Sequence, residues 1–166
     1  MKLQNHQPTL ETISNKMLEA RLAVAKGELN PIAVAPDQVM PFTDRLQEGL
    51  DYYGPNFRWT PQTTVDVAVA DLEVARRAKR IEGGVRFLAA VPGVMLAGEG
   101  SRLLSGAEFL SNTPIKEFSP WIGVAQVGVI AAIGYFCLYK GQKAFQAAAC
   151  DQNMSKSLEL VAGNRR

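Results

Sequence analysis

From Trp121 to Tyr139 the chain reads Trp-Ile-Gly-Val-Ala-Gln-Val-Gly-Val-Ile-Ala-Ala-Ile-Gly-Tyr-Phe-Cys-Leu-Tyr, without one charged side chain. Any fold must either bury this stretch or place it in lipid. As a helix rising 1.5 Å per residue it covers roughly 28 Å, close to the ~30 Å hydrocarbon core of a bilayer. Trp121 stands at one end, Tyr135 and Tyr139 near the other, and Lys140 and Lys143 follow as interfacial anchors do. Ser119 supplies an N-cap, and Pro120 falls at the first helical position, where its missing N–H costs nothing.

The expectation is a transmembrane helix over 119–140, and hence a single-pass membrane protein. The other reading is a helix that is apolar all round because neighbouring helices wrap it.

Small residues give the stretch a face. Gly128 and Ala132 are four apart and Ala125 and Ala132 seven apart, spacing that lets another helix approach closely, with Gln126 able to hydrogen-bond across the contact. The predicted membrane or partner-helix face is therefore Trp121, Ala125, Gln126, Gly128, Ala132, Tyr135 and Tyr139.

The rest of the chain predicts a mainly α fold of short to medium helices joined by Pro/Gly-rich connectors. Residues 1–8 are polar, end in Pro8 and are expected to be flexible. A helical N-terminal region follows over 9–84. After the cap Thr9, apolar residues Leu10, Ile13, Met17, Ala20 and Val24 recur at spacings of three and four until Gly27. This pattern predicts an amphipathic helix packed on its own domain.

Pro31, Pro36 and Pro41 then predict an extended connector over 28–41, either an ordinary loop or a strap for a neighbouring subunit's groove. A short helix from Thr43 is expected to stop at Gly54-Pro55. The aromatics Phe42, Tyr52, Tyr53, Phe57 and Trp59 read as a small core or interfacial belt, in preference to a stacking platform for single-stranded nucleic acid.

Thr63 with Asp66 opens a helix predicted over 64–82, with Gly83-Gly84 as its stop. It ends in Arg76, Arg77, Lys79 and Arg80. Pairing of Arg77 with Glu73 and the helix dipole explain these charges simply; contact with nucleic-acid or lipid phosphates is the competing use. Residues 85–118, interrupted by Pro92-Gly93, read as a broken or interfacial apolar segment. Beyond the apolar helix, 141–166 read as a basic tail, with Asp151-Gln152-Asn153 as a break.

The formal net charge is only +2, but the excess lies in the last 48 residues, where five basic groups stand against two acidic. That bias, with Lys140 and Lys143, favours a cytoplasmic tail and anionic contact. No secretory signal is expected, because Met1 to Pro8 lacks an apolar core.

Cys137 and Cys150 lie about 20 Å apart on one continuous helix, too far for a disulfide, and are expected as free buried thiols. His6 has no plausible base function in a loose end. No Cys/His spacing suits zinc, no acidic loop suits calcium, and no Gly-Lys-Ser/Thr phosphate loop occurs. Neither catalysis nor a cofactor is expected.

The leading expectation is thus a non-catalytic membrane-anchored subunit of an energy-transducing complex, secretion apparatus or membrane-containing virion, with other protein subunits and a bilayer as partners. The alternative is a soluble helical assembly protein, such as a virion, tail or connector component, whose apolar helix is buried between copies. A third is nucleic-acid or anionic-lipid contact through residues 76–80.

Overall fold

Thr9 accepts a hydrogen bond from the Thr12 backbone N–H and starts α1 (Leu10–Lys26); Gly27, at φ 71°, ends it in the left-handed region that glycine adopts without strain. The computed structural model describes residues 7–105 and 120–163, apart from the side chains of 94, 96–105 and 120–127. Among the described residues three further helices follow: α2 (Pro36–Phe57), α3 (Val65–Ser105) and α4 (Pro120–Ala162). The mainly helical expectation holds. The short-to-medium one does not, since α3 and α4 are 41 and 43 residues long.

The chain divides into two compact units, one formed by residues up to Arg77 together with those from Ala148, the other by Ala78–Ala147. The first is organised around a conventional apolar core. Leu10, Ile13, Met17 and Ala20 of α1 meet Val39, Leu46 and Tyr53 of α2, Val65, Ala68 and Leu72 of α3, and Met154, Leu158 and Val161 of α4. The starts of α1 and α3 satisfy one another: Leu10 and Glu11 donate to the carbonyls of Thr63 and Pro61, and Val65 donates to that of Pro8. Backbone donors that a helix start leaves unpaired are thereby used. Lys16 Nζ donates to the Val161 carbonyl at 3.0 Å, serving the opposite end of α4 in the same way.

Proline placement differs from the sequence expectation. The extended connector predicted over 28–41 spans only 28–35, and Ile32 within it is buried in the first unit's own core. Pro36 occupies the first turn of α2, where proline is tolerated, so only Pro41 and Pro55 interrupt the helix proper. The backbone cost at Pro41 is borne by the burial around it: Val39 and Thr43 are wholly inaccessible. Gly54-Pro55 does not end α2. The helix runs to Phe57 and closes on Arg58, at φ 55°, whose N–H reaches the Gly54 and Pro55 carbonyls.

The two long helices correct three more expectations. Gly83-Gly84 does not stop the helix predicted over 64–82, which continues through Pro92 to Ser105. Glycine at 83 serves packing: a Cβ there would lie 2.9 Å from Phe145 Cε2. The broken segment expected over 85–118 is therefore helix as far as Ser105, and residues 106–119 lie outside the described residues. Nor does Asp151-Gln152-Asn153 break α4. Asp151 is fully buried and accepts a hydrogen bond from Tyr53.

Among the described residues, no helix is long and apolar enough to cross a membrane. This overturns the expected single-pass membrane placement and the transmembrane helix over 119–140. The described apolar side chains of α4 run from Gly128 to Tyr139, roughly 18 Å at helical rise, before Lys140, Gln142 and Lys143 enter the same unbroken helix.

Candidate functional site

Two places merit a functional reading, one in each unit. In the second, the α3 and α4 segments meet along a seam of small residues. A Cβ on Gly93 would fall 2.9 Å from Gly134 Cα and 3.0 Å from the Ile130 carbonyl oxygen; one on Gly141 would fall 2.9 Å from the Phe87 ring. Ala90 is fully buried, and the Phe87 and Phe145 rings lie 5.7 Å apart. Gly83, Phe87, Ala90 and Gly93 on α3 thus face Gly134, Gly141 and Phe145 on α4.

Small residues on the inside leave the large ones outside. On α3, Ile81, Val85, Leu88 and Met95 are 60–74% exposed. At 100° per residue they lie opposite the seam, and their places fall on a four-three repeat with Pro92 completing it. On α4, Val129, Ile133 and Phe136 are 57–59% exposed and continue at the same repeat into Lys140 and Lys143. Both stripes have the 3.5-residue period of a seam between helices.

Lys140 Nζ stands 5.4 Å from the Phe136 ring centroid, and Lys143 Nζ 4.8 Å from that of Tyr139, within cation–π range. Hydrogen bonding to Lys143, and then its charge, lower the Tyr139 pKa from its ordinary value.

The predicted contact face is distributed differently. Gly128 has nothing within 4 Å of a Cβ position, Ala132 is exposed, and Tyr135 is exposed on α4. The side chains of Trp121, Ala125 and Gln126 lie outside the described residues. The helix seam uses Gly134 and Gly141, seven apart, instead of Gly128 and Ala132. Gly134 meets Gly93 and the Ala90 carbonyl, and in the sequence Gly93 and Gly83 look like punctuation.

Members of the basic cluster have partners within the chain. Arg77 pairs with Glu73 at 3.8 Å, as the one-turn spacing predicts. Lys79 and Arg80 each have an interaction partner, and Arg76 is half-buried, with an Nε that meets no acceptor among the described residues.

In the first unit, α2 and the end of α4 enclose a cleft of about 490 Å³. Leu46, Tyr53 and Met154 are its buried apolar walls, and Phe42 adds a half-buried ring. Met154 can lie this close to α2 because residue 49 has no side chain: a Cβ there would be 2.5 Å from Met154 Sδ. Tyr53 donates to Asp151 Oδ1 at 2.6 Å. Burial first, and then that hydrogen bond, push the Tyr53 hydroxyl well above its ordinary pKa. Arg45, Asn153, Lys156 and Ser157 supply the polar lining. Sequence reading missed this cleft, because its two walls are about a hundred residues apart and Asp151 looked like a helix breaker.

Phe57 and Trp59 stack at 5.3 Å and pack on the core, with Trp59 Nε1 donating to Asp71 at 3.0 Å. Cys137 and Cys150 are both free thiols, but Cys150 is exposed where a buried one was expected. Among the described residues, no group of three or more His, Cys, Asp or Glu side chains is placed to hold a metal ion. No family model matches the chain, and no curated protein or solved structure matches it either.

Proposed function

We propose that this chain is a non-catalytic helical assembly protein that packs side by side with copies of itself through the second unit. The observation that carries this reading is the pair of exposed apolar stripes, Ile81/Val85/Leu88/Met95 on α3 and Val129/Ile133/Phe136 on α4. Apolar surface of this extent on neighbouring turns marks an interaction face, and its 3.5-residue period suits another helix.

Because the stripes lie on opposite sides of the helix pair, one partner covers only one of them. Copies joined α3 stripe to α4 stripe cover both, and such head-to-tail contact generates a ring or an open filament. This is the arrangement expected of a connector, tail or shell component.

Sedimentation velocity of the full chain without detergent tests it. A defined oligomer is expected, with Leu88→Glu or Ile133→Glu each shifting it towards monomer while far-UV circular dichroism is retained. A monomeric parent, or an oligomer untouched by both substitutions, overturns the proposal.

A further inference from the structure

We infer that the cleft between α2 and the end of α4 is a binding site for a small apolar-tailed anion. Its chemistry is lopsided. The walls supplied by Phe42, Leu46 and Met154 are apolar, the charged residues lining it are Arg45 and Lys156, and no carboxylate lines it. Arg45 and Lys156 are exposed, and neither takes part in an ion pair among the described residues. Asp151, the nearest buried carboxylate along the chain, is turned to the Tyr53 hydroxyl.

Guanidinium and ammonium groups are donors without acceptor capacity, so the group that completes them is acceptor-only and negative. At about 490 Å³ the space falls within the range of roughly 300–1,000 Å³ typical of small-molecule sites, well short of a folded partner. An anionic head held between Arg45 and Lys156, with an unbranched hydrocarbon body along Phe42, Leu46 and Met154, satisfies both halves of the lining. Carboxylate and phosphate monoester heads share this chemistry.

The test uses the full chain labelled with ¹³C-methyl methionine and titrated with decanoate, decyl phosphate and decyltrimethylammonium. Met154 reports on the cleft and Met95 on the exposed apolar surface of the second unit. A saturable shift of the Met154 methyl with one or both anions is expected, the tighter anion identifying the head group, with no such shift from the cation. Arg45→Gln with Lys156→Gln removes both charge-assisted contacts and should weaken it roughly tenfold or more, while the fold is kept because both groups are exposed and lie outside the core.

A Met95 shift without a Met154 shift would mean adventitious partitioning onto apolar surface, and would overturn the proposal. So would equal response to the cation, or undiminished binding by the double variant. None of these outcomes depends on whether the chain self-associates.

Discussion

The first unit holds a core of bulky side chains: Ile13, Leu46, Leu72 and Leu158 are at most 2% exposed, while Leu18, Leu22, Leu29 and Val74 stand outside it. In the second the order is inverted. Glycine and alanine, with the rings of Phe87 and Phe145, occupy the helix contact, while leucine, isoleucine, valine and Phe136 face outwards. A core of large side chains gains stability from the apolar area that it removes from water, whereas a seam of glycines gains mainly close van der Waals contact. The first unit therefore draws on apolar burial for its stability; covering of the second unit's outer faces belongs to the self-assembly proposed above.

Substitutions can break or sharpen that contrast. The largest effect is expected for Leu72→Ala, which empties a fully buried site in the first unit. It should cost about 2–5 kcal/mol, read as loss of amide-exchange protection across α1, α2 and the end of α4.

Next is Gly93→Ala. Alanine normally favours a helix over glycine, but here the added methyl meets the backbone of Gly134 and Ile130, and a loss of about 2 kcal/mol is expected, confined to exchange in the second unit. If Gly93→Ala stabilises that unit, the close seam is wrong.

Tyr53→Phe comes third. It removes the donor to buried Asp151, and about 1.5 kcal/mol should be lost in urea unfolding. Its pH signature follows from the raised Tyr53 pKa: a group protonated more tightly in the fold contributes fully below its unfolded value near ~10 and ever less as pH climbs towards the folded one. The parent should thus lose stability above about pH 10 more steeply than Tyr53→Phe.

The smallest effect is Gly128→Ala, where a Cβ meets open space; helix propensity alone should raise stability by about 0.7 kcal/mol. A loss there would mean that the face holding Gly128 is a close contact.

The first helix was readable because all its signals are local and agree: a threonine cap, apolar spacing of three and four, and a glycine stop, with Leu10, Ile13, Met17 and Ala20 in the core. The ion pair Glu73–Arg77 was equally local. Elsewhere a local signal was outweighed by packing. Pro41 sits inside a helix whose burial bears its cost, and Gly83 looks like a terminator until Phe145, sixty-two places later, needs its empty side.

The apolar stretch misled for a related reason. Its length and aromatic flanks resemble a bilayer's requirements, but a helix that continues through Lys140 and Lys143 to Ala162 serves another architecture. The cleft walls could not be brought together by any local rule, because Tyr53 and Asp151 are separated by 98 positions.

The Lys16 grip on the Val161 carbonyl ties an early helix to a late one. During synthesis, residues 10–77 therefore emerge with a socket that Met154, Leu158 and Val161 fill only after the whole intervening hairpin has been made. The hydrophobic centre of the first unit can therefore close only once residues 78–147, with their exposed apolar faces, have been synthesised.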